Sequence, residues 1–458
     1  MDVARLLLAT NLLLLAIAVA ALVNANVRDP YMDEIFHIPQ AQRYCNGNWS
    51  FYDPKLTTPP GLYIASVALL KPLSQLLPNP CSPSTLRFTN VLFHIGTFFV
   101  LGKTIDRIRG GSQQDSTRKN WVEALTISFF PISYFFHFLY YTDSGSTFFT
   151  LLAFLWSLED WHIGSAAASL VAMTFRQTNV IWMLFGAGTA VIRVLSDKKN
   201  PVTKGKLSTE LSFRSLFSLI MLSINHLIYL IPILWPYISA LGFFAGFIVW
   251  NGGIVLGDKT NHIAQLHVVQ LFYFSAFSAF FLAPTINIPA KLKNFSALIG
   301  RSLKSPTGFV TLAALPVLAY IIISKFTIEH PFLLADNRHY TFYLWKLLFR
   351  TNAYIRYALI PGYLVAIYLV ATSLASPALH TFLYAVCVAL TLVPSPLLEF
   401  RYFLVPYLIA RVYVKPPGWV GVMGELVLYM GFNVVTIWVF VAKGFKWEGV
   451  EGVQRFMY

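Results

Sequence analysis

A short acidic motif, MDEIFHIPQ, follows the first apolar run of the chain and carries Asp33, Glu34 and His37. A general base requires one ionised carboxylate within hydrogen-bond reach of a hydroxyl group. Because neighbouring residues point to different faces of a helix, one carboxylate can point into a cavity while the scaffold holds the other. The alternative is an amphipathic loop helix whose charges lie in water. His37 either orients a substrate or caps that helix.

Several cationic side chains lie in short polar segments between apolar runs and are candidates for binding a phosphate group. Arg176 lies in FRQTN and Arg401 in LEFRY, whereas Arg338 and His339 share ADNRHY. The planar guanidinium group of arginine gives a phosphate two charge-assisted hydrogen bonds and stays protonated near lipid. Alternatively, Arg176 and Arg338 simply extend from the membrane interface into water. Arg401 has a further alternative, an intramembrane ion pair with Glu399.

Other polar side chains suit the hydroxyl groups of a sugar. Thr57 and Thr58 lie in DPKLTTPPGLY, where two prolines form either a rigid sugar-binding edge or a plain connector. No DxD motif with His-rich spacing occurs, so no metal site is expected. The glycines of NGGIVLGD lack the strand and helix that frame a phosphate-binding loop. The other candidates for sugar or acceptor binding are Asp143, Gln177, Asn251, Asp258, Asp336 and Asn337.

The composition of the chain is that of a polytopic membrane protein. Of its 458 residues, 56% are hydrophobic and only 12% are charged, and the mean hydropathy is positive. Apolar runs recur from end to end, each close to the roughly 20 residues that a helix needs to cross hydrocarbon. Backbone groups in lipid must bond within their own segment, so the fold is expected to be all-α. The net charge of +14 resides mainly in interhelical loops, which indicates membrane orientation and no nucleic-acid partner.

Three basic loops determine the predicted topology. Residues 103–119, 193–206 and 291–304 carry most of the Lys and Arg excess and are placed in the cytosol. The first apolar run is interpreted as a membrane anchor, with a cleaved signal peptide as the alternative. Residues 24–86 then form the first lumenal loop. Its two cysteines, Cys45 and Cys81, pair if both lie in an oxidising lumen.

The remaining apolar runs bring the total to about eleven to thirteen crossings. The run 62–77 stays interfacial because a lysine and a proline interrupt it. The run 216–234 does not cross, since three polar residues interrupt it, and the run 164–175 is a tilted or half-inserted helix. Other spans are predicted at about residues 86–101, 121–139, 148–158, 235–250, 271–283, 310–326, 357–371 and 377–393, with two more before the C-terminus. This count places every reactive motif on one face, the lumenal face, where the active site is expected.

The motifs together resemble one enzyme family. PYMDEIFHIPQAQRYC, TTPPGLY, YYTD, FRQTN, NGGIVLGD, LLADNRHYTFY, LLEFRY and QRFMY resemble, in this order, the α-1,2-glucosyltransferases of the endoplasmic reticulum that use dolichyl phosphate glucose. The resemblance extends from Asp29 to the C-terminus. One departure is Pro59, where an apolar residue would be expected, and it affects only the local shape of the loop.

This resemblance implies an all-α fold of the GT-C class of glycosyltransferases, with one transmembrane domain over residues 1–458 in the endoplasmic-reticulum membrane. It implies an inverting transfer of glucose from dolichyl phosphate glucose to the diglucosylated lipid-linked oligosaccharide, which completes the precursor for protein N-glycosylation. The family's acidic motif makes Asp33 the first candidate for the base and Glu34 the second. Partners are the two dolichol-linked substrates and membrane lipids, and no cofactor is expected.

Two other classes of membrane protein fit the hydropathy. A transporter or channel distributes ionisable groups through the membrane midplane, often in two repeated halves. In this chain the charges gather on one predicted face and no repeat is visible. A non-catalytic, channel-associated subunit leaves the lumenal motifs without a role. Both alternatives are therefore less favoured than glycosyl transfer.

Overall fold

The structure is a computed structural model in which the chain is almost entirely helical. It describes residues 3–75, 79–110, 114–259, 263–449 and 452–458. Among these residues it contains no β-strand, only three isolated backbone bridges. The chain forms two compact units, of which the first comprises Met1–Ile263 with Ser376–Cys387 and the second Ala264–Ala375 with Val388–Tyr458.

Eleven helices lie in the N-terminal part of the chain, which supplies most of the first unit. They are α1 (Val3–Asn26), α2 (Glu34–Cys45), α3 (Gly61–Leu70), α4 (Pro83–Arg109), α5 (Gln114–Ser128), α6 (Pro131–Phe136), α7 (Asp143–Leu158), α8 (His162–Phe175), α9 (Asn179–Ser196), α10 (Phe213–Asn225) and α11 (Leu227–Asn251).

Ten further helices follow, and α19 contributes to both units. They are α12 (Gln270–Leu282), α13 (Ile288–Ser302), α14 (Pro306–Phe326), α15 (Pro331–Ala335), α16 (Tyr340–Leu344), α17 (Ile355–Ala358), α18 (Ile360–Ser373), α19 (Ala378–Leu392), α20 (Leu404–Val412) and α21 (Trp419–Ala442). Short 3₁₀ turns occur at Lys71–Leu73, Ala283–Thr285 and Phe400–Phe403, and a π-helical turn at Trp345–Arg350.

Seven helical segments in the described part of the chain are long and apolar enough to span a membrane, as expected of a multi-pass membrane protein. They are α1, α4, α9, α11, α14, α21 and the segment Ile355–Ser373, which joins α17 and α18. Four shorter apolar segments of 10–17 residues are α8, α10, α19 and Gly61–Leu73. The eleven to thirteen crossings predicted from the sequence stay a prediction.

Local sequence signals explain where the long helices begin and end. The Ser82 hydroxyl accepts a hydrogen bond from the Thr85 amide at 3.3 Å and caps α4, and Pro83 occupies the first turn, where no amide donor is needed. Gly110 ends the same helix at a φ of 66°, a left-handed conformation that glycine adopts without steric cost. Ser305 caps α14 in the same way as Ser82 caps α4.

Several predicted boundaries are wrong: charged residues continue two helices that the hydropathy pattern ends, and two other breaks lie elsewhere than predicted. The third basic loop is largely the helix α13, and the first basic loop is shortened by α4, which continues to Arg109. The predicted span 121–139 is interrupted after Ser128, before the proline that begins α6. The break between α10 and α11 falls at His226 and not at Trp235, so α11 contains two prolines.

Parts of three sequence predictions lie outside the described residues. They are the end of the interfacial run at residues 76–77, the centre of the first basic loop at residues 111–113, and residues 260–262 after NGGIVLGD. In the described part of the interfacial run, α3 ends at Leu70, and the predicted lysine and proline follow in a 3₁₀ turn.

A buried apolar cluster packs against α2, the helix that carries the acidic motif. Ile38 of α2, Tyr63 of α3, Leu86 of α4 and the aromatic side chains of Tyr140 and Phe175 pack together in this cluster. A disulfide bond between Cys45 and Cys81 joins the end of α2 to the residues before α4. Packing against this cluster thus holds α2, and a disulfide bond holds its last residue.

The second unit has its own core around α12, α14 and α18. Phe272 of α12 stacks on Tyr363 of α18, with ring centroids 5.5 Å apart. Ala319 and Ile323 of α14 complete this contact. In the same unit, α13 packs on α14 and α18, and Phe295 contacts Tyr368 at 4.9 Å between ring centroids.

Candidate active site

The two carboxylates of the acidic motif lie in different surroundings. Asp33 precedes the first residue of α2 and is partly exposed, whereas Glu34 is completely buried. The backbone amide of Asp33 donates a hydrogen bond to the Tyr141 hydroxyl at 3.2 Å. One acidic side chain is therefore held by the scaffold and its neighbour lies closer to solvent.

Glu34 is held chiefly by the guanidinium group of Arg87. Arg87 Nε donates to Glu34 Oε1 at 2.8 Å, and Arg87 Nη2 donates to Glu34 Oε2 at 2.6 Å. The amides of Tyr31 and Tyr140 donate to the same carboxylate at 3.0 and 2.6 Å. These contacts connect the acidic motif with α4 and with the YYTD motif.

Arg87 itself was not identified by the sequence analysis. Only 1% of its surface is exposed, and its remaining donors bond to Asn24 Oδ1 and to the carbonyl oxygens of Val27 and Asp29. The signal that marks it is its position near the start of an apolar helix, because an ionisable residue in such a helix usually has a specific partner.

His37 lies one helical turn after Asp33, and its amide donates to the Asp33 carbonyl oxygen at 3.1 Å. The ring is largely buried, and its Nδ1 lies 2.6 Å from the Tyr63 hydroxyl. Burial, with smaller contributions from Tyr52 and Tyr140, raises the pKa of Tyr63 well above its ordinary value. The hydroxyl therefore stays protonated, and the contact attaches α2 to α3.

The TTPP segment is joined to two distant motifs through main-chain oxygen atoms. Gln177 Nε2 donates to the carbonyl oxygens of Thr57 at 2.8 Å and Ile254 at 3.1 Å, and the Leu256 amide donates to Thr57 O at 3.2 Å. The neighbouring Thr58 hydroxyl is buried and has no hydrogen-bond partner among the described residues. Gln177 thus connects FRQTN with both TTPP and NGGIVLGD.

The NGGIVLGD segment forms a turn that depends on glycine. Asn251 Nδ2 donates to the carbonyl oxygens of Gly253 and Val255, both at 2.8 Å, and so holds the turn closed. The Asp258 amide donates to the Pro54 carbonyl oxygen at 2.8 Å. These contacts place the segment next to the first loop, as the predicted topology requires.

Arg176 at the end of α8 forms an ion pair with Asp143 at the start of α7. The distance from Arg176 Nη2 to Asp143 Oδ1 is 2.9 Å. The arginine side chain is 21% exposed and the carboxylate only 3%, so the pair is largely buried. The first unit therefore brings together residues from the five motifs that lie in its part of the sequence. These motifs are MDEIFH, TTPP, YYTD, FRQTN and NGGIVLGD.

In the second unit, ADNRHY is paired with the last residues of the chain. Arg338 forms a two-pronged ion pair with Asp336, and its Nη1 donates to Gln454 Oε1 at 2.7 Å. His339 Nδ1 lies 2.8 Å from the main-chain oxygen of Tyr458, and Trp447 Nε1 donates to Asn337 Oδ1 at 3.1 Å. The motif is thus anchored by the QRFMY segment and Trp447.

The charge of Arg338 influences its neighbouring carboxyl group. Burial acts to raise the pKa of Asp336, but hydrogen bonds from the Arg338 side chain and amide outweigh it, so the pKa is below its ordinary value. Arg401 of LEFRY forms an ion pair with Glu399, the alternative that the sequence left open. Among the described residues, no group of three or more His, Cys, Asp or Glu side chains lies close enough together to hold a metal ion.

The chain matches a known protein family over most of its length. The family model described as the DIE2/ALG10 family matches residues 27–412. The chain belongs to the DIE2/ALG10 family. All five clustered motifs of the first unit lie within the matched residues, as do ADNRHY and LEFRY.

Relatives in this family match the chain over almost its whole length. A rat protein is 40% identical over 450 residues, covering 94% of both chains. An Arabidopsis thaliana protein is 34% identical over 500 residues, covering 96% of this chain and 97% of the relative. Both are named Dol-P-Glc:Glc(2)Man(9)GlcNAc(2)-PP-Dol alpha-1,2-glucosyltransferase. No solved structure matches the chain significantly.

Proposed function

We propose that this protein is a glycosyltransferase that moves glucose from dolichyl phosphate glucose to the diglucosylated lipid-linked oligosaccharide, forming an α-1,2 linkage. The observation that carries this proposal is the near full-length match to relatives named for that reaction, at 40% identity over 94% of both chains. The clustering of the polar motifs supports it. Membership of the DIE2/ALG10 family favours this function over a transporter or a channel-associated subunit.

Asp33 acts as the general base in this proposal. The proton of the acceptor's 2-hydroxyl group passes to Asp33 as the oxygen attacks the anomeric carbon of the donor and dolichyl phosphate leaves. A single displacement of this kind inverts the configuration at the anomeric carbon. The choice of Asp33 over Glu34 rests on burial, since Glu34 is fully buried and already binds four donors.

The departing phosphate requires cationic or hydrogen-bond donors. Arg176, Arg338, His339 and Arg401 stay our candidates, and three of them are balanced by a neighbouring carboxylate. His339 has a different environment: an oxygen atom of the main chain only accepts, so its Nδ1 carries a proton toward Tyr458. The main chain thus orients the imidazole ring of this candidate.

Sugar and acceptor hydroxyl groups are assigned to the remaining polar side chains. The buried Thr58 hydroxyl, which has no partner among the described residues, is the strongest of these candidates. Gln177 and Asn251 act by holding their loops, because their amide nitrogen atoms already bind carbonyl oxygens. His37, Thr57, Asp143, Asp258, Asp336 and Asn337 complete the set.

The protein is proposed to act in the endoplasmic-reticulum membrane with its active site in the lumen. A disulfide bond between Cys45 and Cys81 suits this placement, because structural disulfides persist in oxidising compartments. The GT-C class and the eleven to thirteen transmembrane helices belong to the same proposal.

The test uses purified full-length protein in lipid nanodiscs with dolichyl phosphate glucose and the diglucosylated acceptor. Product with one additional hexose is expected with this donor and not with a nucleotide sugar. Asp33→Asn is expected to lower kcat by about 10²- to 10⁴-fold, the usual contribution of general base catalysis. The matched control is Asp29→Asn, because Asp29 is exposed and lies in the same loop.

Two outcomes contradict the proposal. Absence of product from the wild-type protein with dolichyl phosphate glucose refutes the reaction. Normal turnover by folded Asp33→Asn protein refutes the assignment of the base and leaves the reaction intact.

A further inference from the structure

We infer that Glu34 and Arg87 form a positioning pair that fixes Asp33 in the acidic loop, and that Glu34 exchanges no proton with substrate. This inference rests on the proposed role of Asp33. Four hydrogen bonds converge on Glu34. Its carboxylate accepts two from Arg87, one from the Tyr31 amide and one from the Tyr140 amide, at 2.6 to 3.0 Å. A carboxylate has about four lone-pair sites, so no site is left for an acceptor hydroxyl group.

These contacts also bracket Asp33 in the chain. The Tyr31 amide, two residues before Asp33, donates to the side chain of Glu34, the residue after Asp33. The chain on both sides of Asp33 is therefore attached to one buried carboxylate. Met32, inside this bracket, has a φ of 55°, a left-handed conformation that is uncommon for residues other than glycine. Such a conformation persists where the surrounding contacts determine the backbone. The backbone next to Asp33 is therefore fixed.

Arg87 is itself anchored in three places. It donates to Asn24 at the end of α1 and to the carbonyl oxygens of Val27 and Asp29 in the connection to α2. One guanidinium group on α4 thus holds the end of the membrane helix, the connecting segment and Glu34. Because both charges are buried, neither is tolerated without the other.

This arrangement matters for catalysis because a base must lie within hydrogen-bond reach of the hydroxyl group that it deprotonates. Glu34→Gln replaces one accepting oxygen with an NH₂ group, which cannot accept from Arg87 or from a backbone amide. We expect the hydrogen bonds around residue 34 to weaken and Asp33 to move. A displacement of about 1 Å can lower a rate by about 10²-fold. For Glu34→Gln we expect a kcat roughly 10- to 100-fold below wild type, with KM for both substrates within about twofold.

The chain offers a matched control on the same helix. Arg109, near the other end of α4, holds the buried carboxylate of Glu123 with two hydrogen bonds of 2.6 and 2.8 Å. Glu123→Gln damages a similar buried ion pair away from the acidic motif. We expect it to lower thermal stability as Glu34→Gln does, with kcat of the folded protein unchanged.

Two measurements separate positioning from a purely structural or catalytic role. The pH profile of kcat keeps its acid limb in Glu34→Gln, because the proposed base is unchanged in that variant, and loses it in Asp33→Asn. Hydrogen exchange of the peptide covering residues 27–36 is faster in Glu34→Gln than in Glu123→Gln. If Glu34→Gln does not fold, Arg87→Lys serves instead, since it keeps the charge but loses the fork of donors. An intermediate fall in kcat is expected for that variant.

Three outcomes overturn the inference. Wild-type kcat in Glu34→Gln means that the pair does not position Asp33, and equal losses in Glu34→Gln and Glu123→Gln mean a general effect on the fold. Loss of the acid limb in Glu34→Gln makes Glu34 the base. If wild-type protein forms no product, the proposed function fails, while hydrogen exchange still tests whether the pair fixes the loop.

Discussion

The turn at Gly257 provides a direct test of how the NGGIVLGD segment is held. Gly257 has a φ of 59°, and a Cβ atom there would lie 2.3 Å from the Pro54 carbonyl oxygen and 2.6 Å from that of Leu56. Both obstacles are backbone atoms and cannot rotate away. We therefore expect Gly257→Ala to separate this turn from the first loop.

The expected cost has two parts. Placing alanine in a left-handed conformation costs about 1 kcal/mol. Separation of the turn removes the bonds from Leu256 to Thr57 and from Asp258 to Pro54, each worth about 0.5–1.5 kcal/mol. The sum of roughly 2–4 kcal/mol corresponds to a roughly 30- to 700-fold increase in the local opening equilibrium.

The assay is hydrogen exchange of the peptide covering residues 251–259, with Gly252→Ala as the matched control. Gly252 lies in the same turn at a φ of 67°, but a Cβ atom there would meet only Lys259 Nζ at 3.8 Å. The control thus carries the backbone strain without the collision, and its exchange should increase only about fivefold. Equal exchange in the two variants would show that the close approach to Pro54 and Leu56 does not hold the turn.

Two further predictions concern the disulfide bond and a carboxyl group. A reductant should lower the free energy of unfolding of wild-type protein by about 3–4 kcal/mol, measured by denaturant titration. It should have no such effect on Cys45→Ser. Sensitivity to the reductant that persists in Cys45→Ser, or is lost in Cys387→Ser, would contradict the disulfide bond between Cys45 and Cys81. Because the folded pKa of Asp336 is depressed, its contribution to stability is complete above about pH 4 and is lost as the pH falls further. Trp447 stacks on Arg338, so its fluorescence should change in wild-type protein over the pH range in which Asp336 loses its charge. An identical change of fluorescence with pH in Asp336→Asn would refute this contribution of Asp336.

The hydropathy pattern predicts the helices well where one face or the whole surface is apolar, and poorly where charges continue a helix. The run predicted at residues 310–326 is confirmed within α14. The third basic segment, in contrast, forms most of α13, which contacts α18 through Phe295 on Tyr368 and through a hydrogen bond from Lys291 to Thr372. Net charge alone suggested a loop, and the period of the apolar residues was the better guide.

Much of the candidate site could be inferred because its motifs are local in sequence. The expectation that one of the two adjacent carboxylates is held by the scaffold follows from helix geometry alone, and Glu34 is held in that way. Its partner could not be inferred, because Arg87 lies 53 residues later and no pattern links the two positions. The same limit applies to Arg338 and Gln454, whose contact spans 116 residues.

The long sequence separations around Glu34 also determine when the acidic loop can form during synthesis. Cys81, Arg87 and Tyr140 follow the loop by many tens of residues, and all three hold it. Until α4 has emerged, Glu34 has no cation, and a carboxylate without a partner remains in water. The loop that carries Asp33 therefore acquires its fixed form only after α4 and the segment before α7 have joined it, so a nascent chain shorter than about 140 residues holds the acidic motif in an unfinished state.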